Sequence, residues 1–252
     1  MLKSLRRLLS RGGQSPAAGV FESWATERGH AFRRVRDAEG CVIEGRLGTQ
    51  PWRIEWGEPQ RNYIAGHELR LMAEFNLPKE LQVLVLNRQL METMEKAVYE
   101  QYVDDVQTRI DTETPSEMRW LVMYQKQPAA DLGRLRDRYG AVSSVLPWTQ
   151  QWLASPLSDA LAASIDAVAE DHPVTLTIGR GRLTLRTAMD EPDAQRLAQW
   201  VSVFEHALRE ARRLGDEWRD AAGAGQTTQP SLWEHIGPTD PDDTTQRLPP
   251  RG

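Results

Sequence analysis

LQVLVL, residues 81–86, is the stretch that decides the fold. Leu81, Val83 and Val85 point one way along a strand, and Leu84 and Leu86 point the other. Only Gln82 interrupts the apolar run. A strand apolar on both faces belongs inside a sheet, covered above and below. The rest of the chain can be read by asking what pairs with this strand and what packs on it.

Just upstream, LRLMAEF at 69–75 alternates Leu69, Leu71, Ala73 and Phe75 against Arg70, Met72 and Glu74. NLPKE at 76–80 reads as a turn, so 69–75 and 81–86 are expected to be antiparallel neighbours. Further back, CVIEGRL at 41–47 and WRIEW at 52–56 alternate on either side of a turn at 48–51 and form a hairpin. Residues 41–86 then give a meander of antiparallel strands. MRWLVMY at 118–124 is apolar enough for a second inner strand, beside 81–86. VTLTI at 174–178 and LTLR at 183–186 make another hairpin, with Thr184 and Arg186 on its outer face. The word between them, Gly179-Arg180-Gly181-Arg182, matches no phosphate-binding loop and reads as a turn.

Helical spacing marks the other elements. Phe21, Trp24, Ala25 and Phe32 form a rough stripe over 20–35, and Leu90, Met94, Ala97, Val98 and Tyr102 form one over 88–107. A charged helix over 128–139 is expected to end at Gly140, a natural C-cap. Residues 147–153 and 157–170 read as one or two helices, interrupted at Ser155-Pro156. From Pro192 to about 221, Leu197, Val201, Phe204, Leu208, Ala211 and Trp218 fall on heptad spacing, with Gly215 in the same seam. This reads as a long helix across the sheet, with a homodimer seam over 193–221 as the alternative. A helix followed by a hairpin occurs at 20–56 and again at 157–187, an internal likeness too common to argue from. The expected fold is α+β: a largely antiparallel sheet, helices packed mainly on one face, and a long C-terminal helix. It spans 18–221, with a division into two lobes near 110–116 as the alternative.

The two ends differ from this core. Residues 1–17 are a basic amphipathic segment and linker: Leu2, Leu5, Leu8 and Leu9 share a helical face flanked by Lys3, Arg6, Arg7 and Arg11, with no acid. That pattern suits an anionic membrane surface, although so short a helix is marginal alone in water. Leu2, Leu5, Arg6, Arg7 and Leu9 are the candidate membrane contacts. Residues 222–252 are rich in Gly, Thr, Gln, Pro and Asp and read as a disordered tail. It carries one apolar island, SLWEHI at 231–236, in which Leu232, Trp233 and Ile236 are candidate partner contacts.

Composition excludes more than it assigns. The net charge of -5 gives no electrostatic case for nucleic acid. A single cysteine, Cys41, rules out an intramolecular disulfide and every multi-cysteine metal site. Lysine occurs only at Lys3, Lys79, Lys96 and Lys126 among 31 basic residues, an arginine bias that suggests a GC-rich bacterial genome. No run reaches the roughly 18 apolar residues of a membrane span, and the start lacks a secretory pattern, so a cytoplasmic, membrane-peripheral location is expected. The histidines, at 30, 67, 172, 206 and 235, show no metal-ligand spacing. His67 and Glu68 would point to opposite strand faces. Glu205 and His206 splay apart on a helix, leaving His206 and Glu210 as a surface pair. Asp104, Asp105, Asp111 and Glu113 read as a solvated helix end rather than a cation loop. No catalytic residue, metal or cofactor is assigned.

One segment invites a binding reading. Trp52 and Trp56 share a strand face, Arg53 lies opposite, and Arg61 follows in the next loop. Covered, the tryptophans are core; open, Trp52, Trp56, Arg53 and Arg61 form an interaction surface. The leading expectation is a non-enzymatic binding or adaptor protein that contacts an unknown protein partner or a membrane through its ends. The alternative is a small-molecule-binding or enzymatic domain with a pocket between sheet and helices lined by Trp52, Trp56, Trp120 or Tyr124. If the basic start docks on lipid, a chain beginning at Ala17 will float less with anionic liposomes than the full chain; equal flotation removes that contact.

Overall fold

The computed structural model describes residues 16–36, 38–103, 115–165 and 167–224. Nine strands form one antiparallel sheet: β1 (Ala31–Arg34), β2 (Gly40–Leu47), β3 (Gln50–Gly57), β4 (Glu68–Glu74), β5 (Val83–Asn87), β6 (Gln125–Lys126), β7 (Tyr139–Ser143), β8 (Val174–Gly179) and β9 (Arg182–Ala188). Their order across the sheet is β1-β2-β3-β4-β9-β8-β5-β7-β6. The helices are α1 (Pro16–Glu27), α2 (Arg88–Val103), α3 (Ser116–Met123), α4 (Leu146–Leu153), α5 (Pro156–Ile165) and α6 (Ala194–Ala224), with a 3-10 helix at Ala129–Leu135. The fold class is α+β, as the sequence implies.

β5 lies inside the sheet and every residue in it is buried. Its two faces feed two cores. Val83 and Val85 join the larger one, which packs the sheet against α1, α4, α5 and α6. Leu84 and Leu86 join a smaller one with Leu90, Met91 and Met94 of α2, Met118 and Leu121 of α3, and Val142. Most helices thus sit on one face, and α2 and α3 cover part of the other.

The neighbours of β5 are not the expected ones. It pairs with β7 and β8, whereas the 69–75 run, β4, pairs with β3 and β9. The β8–β9 hairpin has been inserted between β4 and β5. Three inter-strand steps cover about 14 Å. The connection at 75–82 can reach about 26 Å when extended, so no tight turn is imposed. Leu77 and Leu81 are buried and pin this connection to the core. Gly215 of α6 makes room for it, since a Cβ there would lie 2.3 Å from Leu77 Cδ2.

Three further expectations are corrected. Residues 118–124 are not an inner strand; 118–123 belong to helix α3, and Tyr124 follows it in extended conformation. Met118 and Leu121 are buried one helical turn apart, while Val122, which strand alternation would have buried with Trp120 and Tyr124, is 54% exposed. Residues 128–139 do not form one charged helix. The 3-10 helix is broken at Gly133, with φ of 53°, and Tyr139 opens strand β7. Gly140 is a strand residue rather than a cap; a Cβ on it would lie 2.2 Å from Met91 Sδ, so it permits close approach of α2. The first helix stops at Glu27, where Gly29 at φ of 68° turns the chain into β1.

Asp193 starts α6 by accepting hydrogen bonds from the backbone N–H groups of Gln195 and Arg196 at 2.8 and 3.0 Å. Leu197, Val201, Phe204, Leu208 and Ala211 are buried in the chain's own core, so the sheet occupies the seam that a second copy would need. Trp152 of α4 ties the two helices by donating to Ala207 O at 3.0 Å. Among the described residues no helix is long and apolar enough to cross a membrane. The terminal segments, with Leu2, Leu5, Arg6, Arg7, Leu9, Leu232, Trp233 and Ile236, lie outside the described residues, as does the acidic group at 104–113. Strands from both sides of the candidate division near 110–116 share the one sheet.

Leu84→Ala will cost about 2–5 kcal/mol in urea unfolding, because the side chain is fully buried between the sheet and α2 and α3. A loss within experimental error would mean the smaller core is not packed.

A candidate anion site between α3 and the β8–β9 hairpin

The second face of the sheet changes character away from β5. Antiparallel register places Thr177 opposite Thr184, Gly179 opposite Arg182 and Thr175 opposite Arg186. The alternation that sends Leu183 and Leu185 into the large core sends Arg182, Thr184 and Arg186 to this face. On β3 and β4 the same face carries Arg53, Glu55, Arg70 and Glu68. It is a polar, charged surface that α3 covers along one side.

α3 and the hairpin enclose a cavity of about 440 Å³. Its helical wall comes from Ser116, Glu117, Arg119, Trp120 and Tyr124. The indole of Trp120 lies on bare strand: a Cβ on Gly179 would be 2.6 Å from Trp120 Cη2 and 2.7 Å from Gln82 Oε1. Tyr124 stands 6.4 Å from Trp120 with its ring tilted by 60°. Across the cavity, Arg182, Thr184 and Arg186 line the strand side, and Arg61 and Arg180 complete it.

The hairpin turn is Arg180-Gly181, with φ of 54° and 73°. Two left-handed residues in succession match the twist of the flanking strands, the arrangement of a type I′ turn. Glycine takes such a φ freely; an arginine pays roughly 1–3 kcal/mol for it. A cation is therefore held at the cavity edge in a conformation its side chain disfavours.

One buried carboxylate organises the inner arginines. Glu117 is 1% exposed. Arg61 Nε donates to both its oxygens, at 3.0 and 3.1 Å. Tyr63 OH donates to it at 3.3 Å, and Ser116 Oγ donates at 3.2 Å. Burial works against the Arg61 charge, but the Glu117 carboxylate outweighs it and raises the arginine pKa further. Burial also pushes the Tyr63 phenol up, so it stays protonated and keeps donating. Arg186 donates to Glu68 and lies 3.9 Å from Glu117. Glu68 also accepts from the backbone N–H of Gln60 at 2.6 Å. Arg70 bridges Glu68 and Glu55. At Glu55 burial alone would raise the pKa, but the hydrogen bonds and charges of Arg70 and Arg53 outweigh it and leave the carboxyl below its ordinary value.

The outer arginines are supplied differently. Arg182 pairs with Glu74 at 2.5 Å, away from the cavity. The side chains of Arg119 and Arg180 have no ion-pair or hydrogen-bond partner among the described residues. Five guanidinium groups line the cavity against the single acid Glu117. The arrangement can bind an anion: three cations are held or supported by carboxylates, and two are unmatched.

The residues named from sequence distribute unevenly. Arg61 lines the cavity, and so do Trp120 and Tyr124. Trp52 and Trp56 do not; they are 4% and 2% exposed and belong to the large core. Trp56 Nε1 donates to Met189 O at 2.7 Å, and Trp52 lies over Gly45. Arg53 stays on the polar face, paired with Glu55 at 2.6 Å. An open concavity of about 1080 Å³ at the β2–β3 end is lined by an edge of Trp52 and by Arg28, Arg46, Arg53 and Arg182 against Glu44, Glu55 and Glu74, so it offers little net charge. His67 stacks on Trp56 at 4.6 Å and faces Glu39 at 3.7 Å, not Glu68. Glu210 pairs with Arg213 at 2.9 Å rather than with His206. Burial pushes the Cys41 thiol up to about 12, which leaves it without nucleophilic character. No group of three or more His, Cys, Asp or Glu side chains poised for a metal occurs among the described residues.

Arg119, Arg180, Arg182 and Arg186 were missed as site residues. The available signal was Arg182, Thr184 and Arg186 sharing one strand face beside a turn that itself contains arginine.

No family model matches the chain, and no curated protein matches it. One solved structure is similar: the mycobacterial trehalose monomycolate transport factor A, TtfA, at 10% identity and a TM-score of 0.41, covering 81% of this chain and 94% of that one. That likeness is too remote to carry an argument about this chain.

Glu117→Ala will destabilise the fold by about 3–5 kcal/mol, because it leaves Arg61 and Arg186 facing each other without the buried carboxylate. Arg119→Ser, which removes a cavity-lining cation with no side-chain partner among the described residues, will change stability by less than about 0.5 kcal/mol. Equal urea midpoints for the two variants would show that Glu117 does not organise the site.

Proposed function

We propose that this chain is a non-enzymatic binding protein that holds an anionic ligand between α3 and the β8–β9 hairpin. The observation that carries this reading is the pair of unmatched cations, Arg119 and Arg180, beside three arginines that carboxylates already position. Guanidinium groups fixed by carboxylates bind oxyanions with little reorganisation, and their planar donors suit phosphate and carboxylate groups. Thr184 adds a hydroxyl donor, and Trp120 adds an apolar wall.

The binding class is the one the sequence points to, with a second route of contact. The basic amphipathic start at 1–17 and the apolar island at 231–236 have the composition of segments that reach a membrane surface or a protein partner. In this reading the chain is a cytoplasmic, membrane-peripheral adaptor: the sheet carries the ligand seat and the ends carry the attachments.

Inorganic phosphate at a hundredfold excess over its Kd will stabilise the folded chain by about 2.7 kcal/mol, a rise in Tm of roughly 5–10 °C. The Arg119→Ser/Arg180→Ser variant will lose that rise. Sodium chloride at the same ionic strength is the control; if it stabilises the wild type as well as phosphate does, there is no anion seat.

A further inference from the structure

The outer side of α3 is as unusual as its inner side. Met123 is 65% exposed and Val122 is 54% exposed, and they are two of only a few large apolar side chains left open among the described residues. Met123 follows Arg119 by one helical turn, so an apolar side chain stands next on the helix to an unmatched cation that lines the cavity. Trp120 and Tyr124, amphipathic aromatics, occupy the adjoining face. A soluble anion would make no use of the exposed valine and methionine. A ligand with a charged head and an apolar tail would use both surfaces at once.

Charge narrows the head group. Two guanidinium groups lack a counter-charge, and a phosphate monoester carries about -1.5 to -2 near neutral pH. A phosphodiester or a carboxylate supplies one negative charge. The cavity, at about 440 Å³, has room for a phosphate group and the glycerol that bears it.

We infer that the α3 side is a membrane-docking face whose cavity seats the phosphomonoester head group of a phospholipid, with Val122 and Met123 entering the apolar boundary of the bilayer. The inference rests on the anion-seat reading above and adds the ligand class. Arg119 and Arg180 close on the phosphate oxygens, Arg61 and Arg186 support it from below, and Trp120 sits at the depth where indole rings favour the interface.

The test uses the full chain and three probes: glycerol phosphate, phosphatidylcholine vesicles containing phosphatidic acid, and phosphatidylcholine vesicles containing phosphatidylglycerol at matched surface charge. The expected result is co-sedimentation with phosphatidic acid vesicles at least about tenfold tighter than with phosphatidylglycerol vesicles. Val122→Ser/Met123→Ser should weaken vesicle binding by about tenfold or more and leave glycerol phosphate binding unchanged. Arg119→Ser/Arg180→Ser should lose both. Equal binding to the two vesicle types, unaffected by Val122→Ser/Met123→Ser, would assign attachment to the basic start and overturn the inference. Glycerol phosphate bound without any vesicle binding would also overturn it, in favour of a soluble phosphate ester, and leave the anion seat standing. Failure of the wild type to bind glycerol phosphate would remove the anion seat itself.

Discussion

Val83 and Val85 leave the sheet on one side, Leu84 and Leu86 on the other, and both sets must be taken out of water. Fully burying one such side chain is worth about 1.5–3 kcal/mol. The molecule therefore needs a layer on each face of β5. The larger layer is deep, because α6 runs across the sheet and α4 and α5 pack against it. The smaller one, among the described residues, is made by α2 and α3 over β5 and β7. Beyond it the second face meets no helix among the described residues, and its strands carry charge instead of leucine.

The charged face follows from that shortage of cover. Glu68, Arg70 and Glu117 are buried, and their polar partners come from each other, from the loop at 60–63 and from the edge of α3. A buried charge without a partner costs several kcal/mol, so each one is matched. Matching stops at the rim, where α3 ends its contact with the sheet and solvent replaces carboxylates. The cavity and its unmatched arginines lie at that boundary. One short helix thus completes the smaller core with Met118 and Leu121, closes the charge network with Glu117 and presents Arg119 and Trp120 to the cavity.

How much of this could be read in the sequence depended on the range of the interactions. The burial of 81–86 on both sides, the hairpins at β2–β3 and β8–β9, and the long last helix rest on local alternation or on helical spacing. Strand order does not. β4 and β9 match Leu69, Leu71 and Ala73 to Thr187, Leu185 and Leu183, a pairing more than a hundred residues apart that no turn encodes. MRWLVMY could not be typed by periodicity, because a short apolar run suits a buried strand and a helix alike. The cavity was hidden for both reasons together. It needs α3 to be a helix, so that Glu117, Trp120 and Tyr124 share a face, and it needs the β8–β9 hairpin to lie next to β5. The ends, where the sequence placed its strongest functional expectations, fall outside the described residues.

The hairpin turn shows where folding and binding ask for different residues. Position 180 requires a left-handed backbone, which glycine or asparagine supplies at least cost. Arginine stands there instead, in strain, with no acid among the described residues to reward it. The neighbouring strand position makes the opposite choice. Gly179 gives up the side chain a β-strand prefers, and the space admits the Trp120 indole. Neither residue is the best for the stability of the hairpin alone. Together they place one cation and one aromatic wall on the same small cavity. A turn serving only to reverse the chain would have no use for that exchange; a turn that also forms the lip of a binding site would.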